Sequence, residues 1–346
     1  MGVKAAVFPP DWLRYMDAST ELEVYRLTDP AYSSALPAYY NRAVARNRRF
    51  LLYSCDRTGS RQAFSLDLAN GQARQLTECA DLDGAALALL PNNAAFCYFA
   101  GRRLCVADLA APAERTVYTV PDHSERGAGL SVTQDGAAAL FVERQGNLHR
   151  VRMVPLTRGE ARTVVEAPFE ISDPVMRPQR RQILYRQRDE ALWLADSTGR
   201  AGRQLKLAPG RAGPANWSPD GGAVLYLNFP ADPTQLNAVR EYAPESDIDK
   251  LVAKTSQYAH FGFNRDTSVF VGASRNAASP SVLIMLRVNG RELTICDHRA
   301  SRPEMVAPIF SPDAQRIFFQ SDRDGKPSIY CVHVERLVGR LEESGP

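Results

Sequence analysis

The sequence predicts an all-β fold, a seven-bladed β-propeller forming a single domain over residues 1–346, and three observations carry that prediction. A short turn followed by a run of β-branched and aromatic residues recurs at Asn47, Asn92, Asp135, Gln179, Asp220, Asp266 and Asp313, every 41 to 47 residues. Each interval has room for four strand-like segments, the period of a propeller blade. The two ends of the chain also complement each other: the last copy lacks a fourth strand, and the segment 21–28 near the start has an outer-strand pattern.

Taken in order, that early strand is predicted to complete the seventh blade and close the ring, leaving no sheet edge open at the seam. The blades then run over 38–78, 83–122, 127–168, 170–209, 211–254, 257–301 and 304–337. Within the fifth, Ala215 to Trp217 reads as the inner strand and Ser218-Pro219-Asp220-Gly221 as the turn, where proline presets φ and glycine permits a positive one. Second strands such as Phe50-Leu51-Leu52-Tyr53, Ala95-Phe96-Cys97-Tyr98 and Ile317-Phe318-Phe319 are continuous apolar runs, as strands buried on both faces should be. Third strands such as Ala191–Ala195 alternate, and outer ones such as Gln72–Thr77 are polar.

Composition narrows the classes of function. The 45% apolar content suffices for a large core, and 42 basic against 39 acidic side chains leave a net charge of +3. So weak a bias predicts no nucleic-acid partner and no attraction to an anionic membrane. The basic groups Arg46-Asn47-Arg48-Arg49 and Arg177-Pro178-Gln179-Arg180-Arg181 fall on repeat turns and read as solvated faces. Six cysteines without a CxxC pair read as small buried apolar residues. The first ten residues hold too short an apolar run for a signal-peptide core, and no segment is long enough to span a bilayer, so a soluble cytoplasmic protein is expected. No G-x-S-x-G elbow or GxxxxGK[ST] loop occurs.

In a propeller, the loops joining one blade's outer strand to the next blade's inner strand gather on one face. They carry Tyr39, Tyr40, Asn41, Asp81, Asp83, His123, Glu125, Asp173, Tyr258 and Glu304 here, together with Arg126, Arg211 and Arg302. The three arginines come from different blades and can converge on an anion, with Tyr40 beside them; the competing reading is scattered surface charge.

At this point the chain resembles the oligogalacturonate lyases, cytoplasmic seven-bladed propellers that split pectin-derived uronate oligomers by β-elimination. The resemblance is carried by Tyr15-Met16-Asp17-Ala18-Ser19-Thr20 with Val24-Tyr25-Arg26-Leu27-Thr28 at one end. At the other it is carried by Phe310-Ser311-Pro312-Asp313 through Gln320-Ser321-Asp322-Arg323-Asp324-Gly325-Lys326-Pro327. Between them Leu66-Asp67-Leu68, Gln75-Leu76-Thr77 and Val117-Tyr118-Thr119-Val120-Pro121 also fit. The closing motif is shared with propeller repeats of the TolB type, whereas the opening one is more distinctive.

The resemblance implies a divalent metal, expected to be manganese, held largely by histidines, with a histidine base and an arginine. β-Elimination next to a carboxylate needs that carboxylate neutralised and a base within reach. One implied ligand matches, His260 in Tyr258-Ala259-His260-Phe261. Where the family has His-Pro-His this chain has Met305-Val306-Ala307, the preceding ligand position is Arg302, the base falls near Pro214 and the arginine near Ala191. Methionine, alanine and proline neither hold a hard cation nor accept a proton. Three readings follow: a lyase whose site residues lie elsewhere and use manganese, a propeller that binds an acidic oligosaccharide or small anion without a cofactor, and a scaffold for a protein partner.

Overall fold

The computed structural model describes residues 5–111, 113–188, 191–198 and 202–334. The expected end of the seventh blade at 335–337 lies outside them. Seven antiparallel sheets form the ring, five of four strands and two of five. Apart from a 3₁₀ turn at Pro303–Met305, the named elements are all strands. No helix among the described residues is long and apolar enough to cross a membrane.

The repeat turns show why the sequence period exists. In six of the seven, the Asn or Asp side chain accepts a hydrogen bond from the backbone N–H two residues on, as Asn92 does from Ala94 at 2.9 Å and Asp220 from Gly222 at 2.9 Å. The next residue then turns left-handed, at Arg48, Asn93, Gly136, Gly221, Thr267 and Ala314. This short bond from side chain to backbone stabilises the turn locally. Gln179 is one methylene too long for it, and in that blade Gln179 itself takes the positive φ of 57°.

Both faces of every second strand are covered, which explains their apolar runs. Phe96 and Tyr98 pack toward blade 1 while Cys97 and Phe99 pack toward blade 3; Phe318 faces blade 1 while Ile317 and Phe319 face blade 6. The core is accordingly seven wedges, each filling the gap between adjacent blades. All six cysteines are free thiols, and every one but Cys79 is buried.

Ring closure occurs as the sequence predicted and extends further. Glu23–Arg26 pairs with Ser328–His333 as the fourth strand of the last blade. Leu13–Met16 then adds a fifth strand to that sheet, and Val7–Phe8 adds one to the outer edge of blade 1 beside Ala73–Gln75. The amino-terminal segment thus binds the last blade to the first, helped by Arg57, which pairs with Asp11 and lies 4.6 Å over the Phe8 ring.

Arg177 departs from the solvated face expected of it. Its guanidinium is 2% exposed, donates to the Gly221 carbonyl at 2.6 Å, pairs with Glu245 at 2.7 Å and lies 5.0 Å over the Trp217 ring. It fastens the turn of blade 4 to that of blade 5, so its charge is satisfied inside the inter-blade wedge. Neighbouring Arg180 stays exposed, as expected.

Val24 is fully buried in the wedge between blades 6 and 7, so it reports on the seam. Val24→Asp should cost about 3 kcal/mol or more, because it buries a carboxylate with no partner. Urea unfolding checks this, and a change within about 0.5 kcal/mol would show that the seam does not limit stability.

Candidate functional site

The inner strands build the site, and their irregularities aim it. Register shifts interrupt the pairing of inner and second strands at Leu82/Leu87, Arg126/Leu130, Ser172/Val175, Ala212/Ala215 and Tyr258/His260. Bulges re-aim side chains where they occur, and here they fall in five neighbouring blades near the same end of the axis. Asp173 sits at one of them with φ of 50°. Its backbone lies so close to Gly129 that a Cβ there would meet Asp173 N at 2.7 Å, and Gly129 itself has φ of 97°.

Blade 1 has the largest departure. Its inner strand is split into Ser34–Ala35 and an isolated bridge at Val44, and the chain between them enters the channel. Tyr39 exchanges hydrogen bonds of 3.1 Å with the Ala215 backbone of blade 5 and meets the His260 ring of blade 6 edge-on at 4.9 Å. Tyr40 donates to Asp173 of blade 4 at 2.8 Å, and Asn41 donates to the carbonyls of Leu87 and Leu130 in blades 2 and 3. Three consecutive side chains therefore reach five other blades, and the segment spans the axis.

His260 lies against this plug. It is 6% exposed, its Nδ1 is buried without a hydrogen-bond partner, and burial pushes its pKa down to about 4. At neutral pH it is an uncharged ring enclosed by Tyr39. Burial likewise raises the pKa values of Tyr39 and Tyr40, so both hydroxyls keep their protons.

The remaining positions singled out in the sequence are dispersed. Arg126 pairs with Asp83 at 2.5 Å and lies 4.9 Å over Phe99, while Arg211 lies 4.3 Å over Phe229. Arg302 is exposed just ahead of the 3₁₀ turn; its carbonyl accepts from Met305 N–H at 3.1 Å, and its guanidinium, whose charge acts on Asp322, has no hydrogen-bond or ion-pair partner among the described residues. No contact joins the three arginines to one another. Glu304 pairs with Arg275 at 3.3 Å and not with Arg302. His123 is exposed. His298 is fully buried with both ring nitrogens used, Nε2 against the Ser274 carbonyl and Nδ1 accepting from Ala300 N–H.

Arg186 is the residue that sequence reasoning missed. It interrupts the apolar second strand of blade 4, is 8% exposed, and clamps the Ala212 and Gly213 carbonyls at 2.7 and 2.5 Å. Its charge lies close enough to Tyr39 to oppose the rise in that residue's pKa. A lone arginine inside an apolar run was the available signal. Arg186 on 212 and 213 and Tyr39 on 215 hold the backbone on both sides of Pro214.

The residues present do not fit a dedicated metal centre. Among the described residues no three His, Cys, Asp or Glu side chains gather in a metal-binding group. Near His260 the candidates from the resemblance are otherwise employed or unsuitable: the Met305 carbonyl accepts from Gln320 at 2.9 Å, Val306 is core, and Ala307 carries only a methyl group. One imidazole is fewer than the three protein ligands that even an open metal site uses.

This geometry defines the class: a closed seven-bladed propeller with a plugged axis and a histidine beside the plug. The family described as oligogalacturonate lyase matches residues 3–143. The oligogalacturonide lyase of Pectobacterium atrosepticum is 25% identical, the match covering 97% of this chain and 99% of that protein. The oligogalacturonate lyase of Dickeya dadantii is 23% identical over 94% and 96%. The solved structure of an oligogalacturonate lyase in complex with manganese superposes with a TM-score of 0.92 at 24% identity, covering 98% of this chain and 100% of that one. The chain is thus a seven-bladed propeller that is similar in sequence and in fold to oligogalacturonate lyases.

The buried ring of His260 predicts a pH effect. The unfolded ring has the ordinary pKa of 6.5 and the folded one about 4, so the unfolded chain binds more protons between these values. The stability gained by keeping the ring neutral is complete above pH 6.5 and is lost as pH falls toward 4. Between pH 7 and 5 the wild type should lose about 2 kcal/mol more than His260→Gln. Equal losses in urea unfolding would show that the ring is not shielded from solvent.

Proposed function

We propose that this chain is a lyase-like propeller that binds an acidic sugar of the pectin-derived uronate class without eliminating it. The observation that carries this reading is the state of His260: neutral, enclosed and met edge-on by Tyr39, with Arg302, Met305, Ala307 and Pro214 where the resemblance implies ligands and a base.

The chemistry supports it. Elimination requires proton removal next to a carboxylate, and hence a base that meets the sugar together with a charge that stabilises the carbanion. His260 is walled off by the plug, and the plug's two tyrosine hydroxyls are held by Ala215 and Asp173. Arg302 has the opposite character: exposed, free of ion pairs among the described residues, and carrying a planar fork that matches a carboxylate in bidentate fashion. Recognition of an acidic ligand needs only such a fixed charge in a loop at the mouth of the channel.

Digalacturonate separates the alternatives. Ultraviolet absorbance at the unsaturated-uronate band should stay flat with added manganese and with chelator, while calorimetry should detect binding. Arg302→Ala should weaken that binding about tenfold, or 1.4 kcal/mol, with thermal stability unchanged. Metal-dependent growth of absorbance would overturn the non-eliminating reading, and absence of binding would overturn the acidic-sugar reading.

A further inference from the structure

The plug divides the axial channel, and on the side of the repeat turns it roofs a chamber of about 1110 Å³. Tyr39, Tyr40 and Asn41 form the inner end of this chamber, and all seven blades contribute the ends of their inner strands and turns to its wall. It opens on the face opposite the loop that carries Arg302. Its size suits a small organic ligand with room for solvent.

The charges in the wall are unbalanced. Arg42, Arg46, Arg48 and Arg265 line the chamber against a single carboxylate, Asp313. That carboxylate is held by Arg48 at 2.8 Å. Arg42, Arg46 and Arg265 have no ion-pair partner among the described residues.

Arg42 is the most constrained of them. One of its terminal nitrogens donates to the Leu90 carbonyl, while Nη1 is buried with no partner. Burial, then the nearby charge of Arg46, lower its pKa to about 10. An enclosed N–H without an acceptor, next to a second positive charge, is destabilising, and an anion relieves both defects at once.

We propose that this chamber is a second ligand site, for a small organic polyanion bearing carboxylate or phosphate groups, with Arg42 and Arg46 as its anion clamp. The half-buried rings of Phe263 and Phe310 in the wall supply apolar surface for the body of the ligand. Guanidinium groups receive carboxylate and phosphate in the same bidentate way. The two sources are therefore distinguished by experiment.

Citrate and pyrophosphate are the probes, titrated calorimetrically into the full chain at about 0.15 M ionic strength. At least one should bind with a stoichiometry of one and raise the thermal midpoint, and the one that binds identifies the group preferred. The double variant Arg42→Gln/Arg46→Gln should bind at least about tenfold more weakly, and Arg302→Gln should bind as the wild type does. Arg265→Gln, an exposed rim change that does not touch the core, should weaken binding by about threefold and keeps the test valid if the double variant does not fold. The double variant Arg42→Gln/Arg46→Gln should keep the Arg302-dependent binding of digalacturonate, so failure at one end of the channel is read separately from failure at the other. No binding of either probe up to about 10 mM, or equal affinity in both clamp and rim variants, or loss of binding in Arg302→Gln, overturns the proposal.

Discussion

Every feature of this molecule depends on pairing between the two ends of its chain. A ring of sheets has one seam, and until Glu23–Arg26 joins Ser328–His333 the last blade presents an unpaired edge and the wedge beside it is open to water. The closing contact spans almost the whole sequence, so its entropic cost is met only when the blades between are already assembled. The extra strands at Leu13–Met16 and Val7–Phe8 add hydrogen bonds on both sides of the seam.

Closure creates a second constraint at the axis. Seven blades leave a channel, and blade 1 fills it by giving up part of its own inner strand. The Tyr39–Asn41 segment replaces lost strand pairing with hydrogen bonds to four other blades and a ring contact with a fifth, which makes the plug a cross-brace as well as a stopper. It also decides the chemistry on each side. On one side it seals the ring of His260 into an apolar setting, and on the other it roofs a chamber whose cations lack partners. A histidine that the lyase resemblance presents as a metal ligand is thereby held as a neutral core ring.

The blade turns were legible because their physics is local. An Asn or Asp that bonds the N–H two residues away, followed by a left-handed residue, needs no distant contact, and six of seven turns use it. Arg177 was misread because its surroundings are not local: the same basic turn residue is solvated at Arg180 and buried at Arg177, depending on which neighbour the adjacent blade brings. Arg186 was missed for the same reason, since its acceptors lie on the next blade's inner strand.

By itself, then, the sequence determined the all-β class, the number of blades, the buried second strands and the closing strand, because periodicity and turn chemistry act over a few residues. Only the tertiary structure decided that Tyr39 and Tyr40 cross the axis, that Arg126 and Arg211 are held by Asp83 and Phe229 while Arg302 stays exposed, and that Arg42 faces a chamber. Those outcomes depend on which side chains meet between blades far apart in sequence, and burial, pairing and pKa are properties of such meetings.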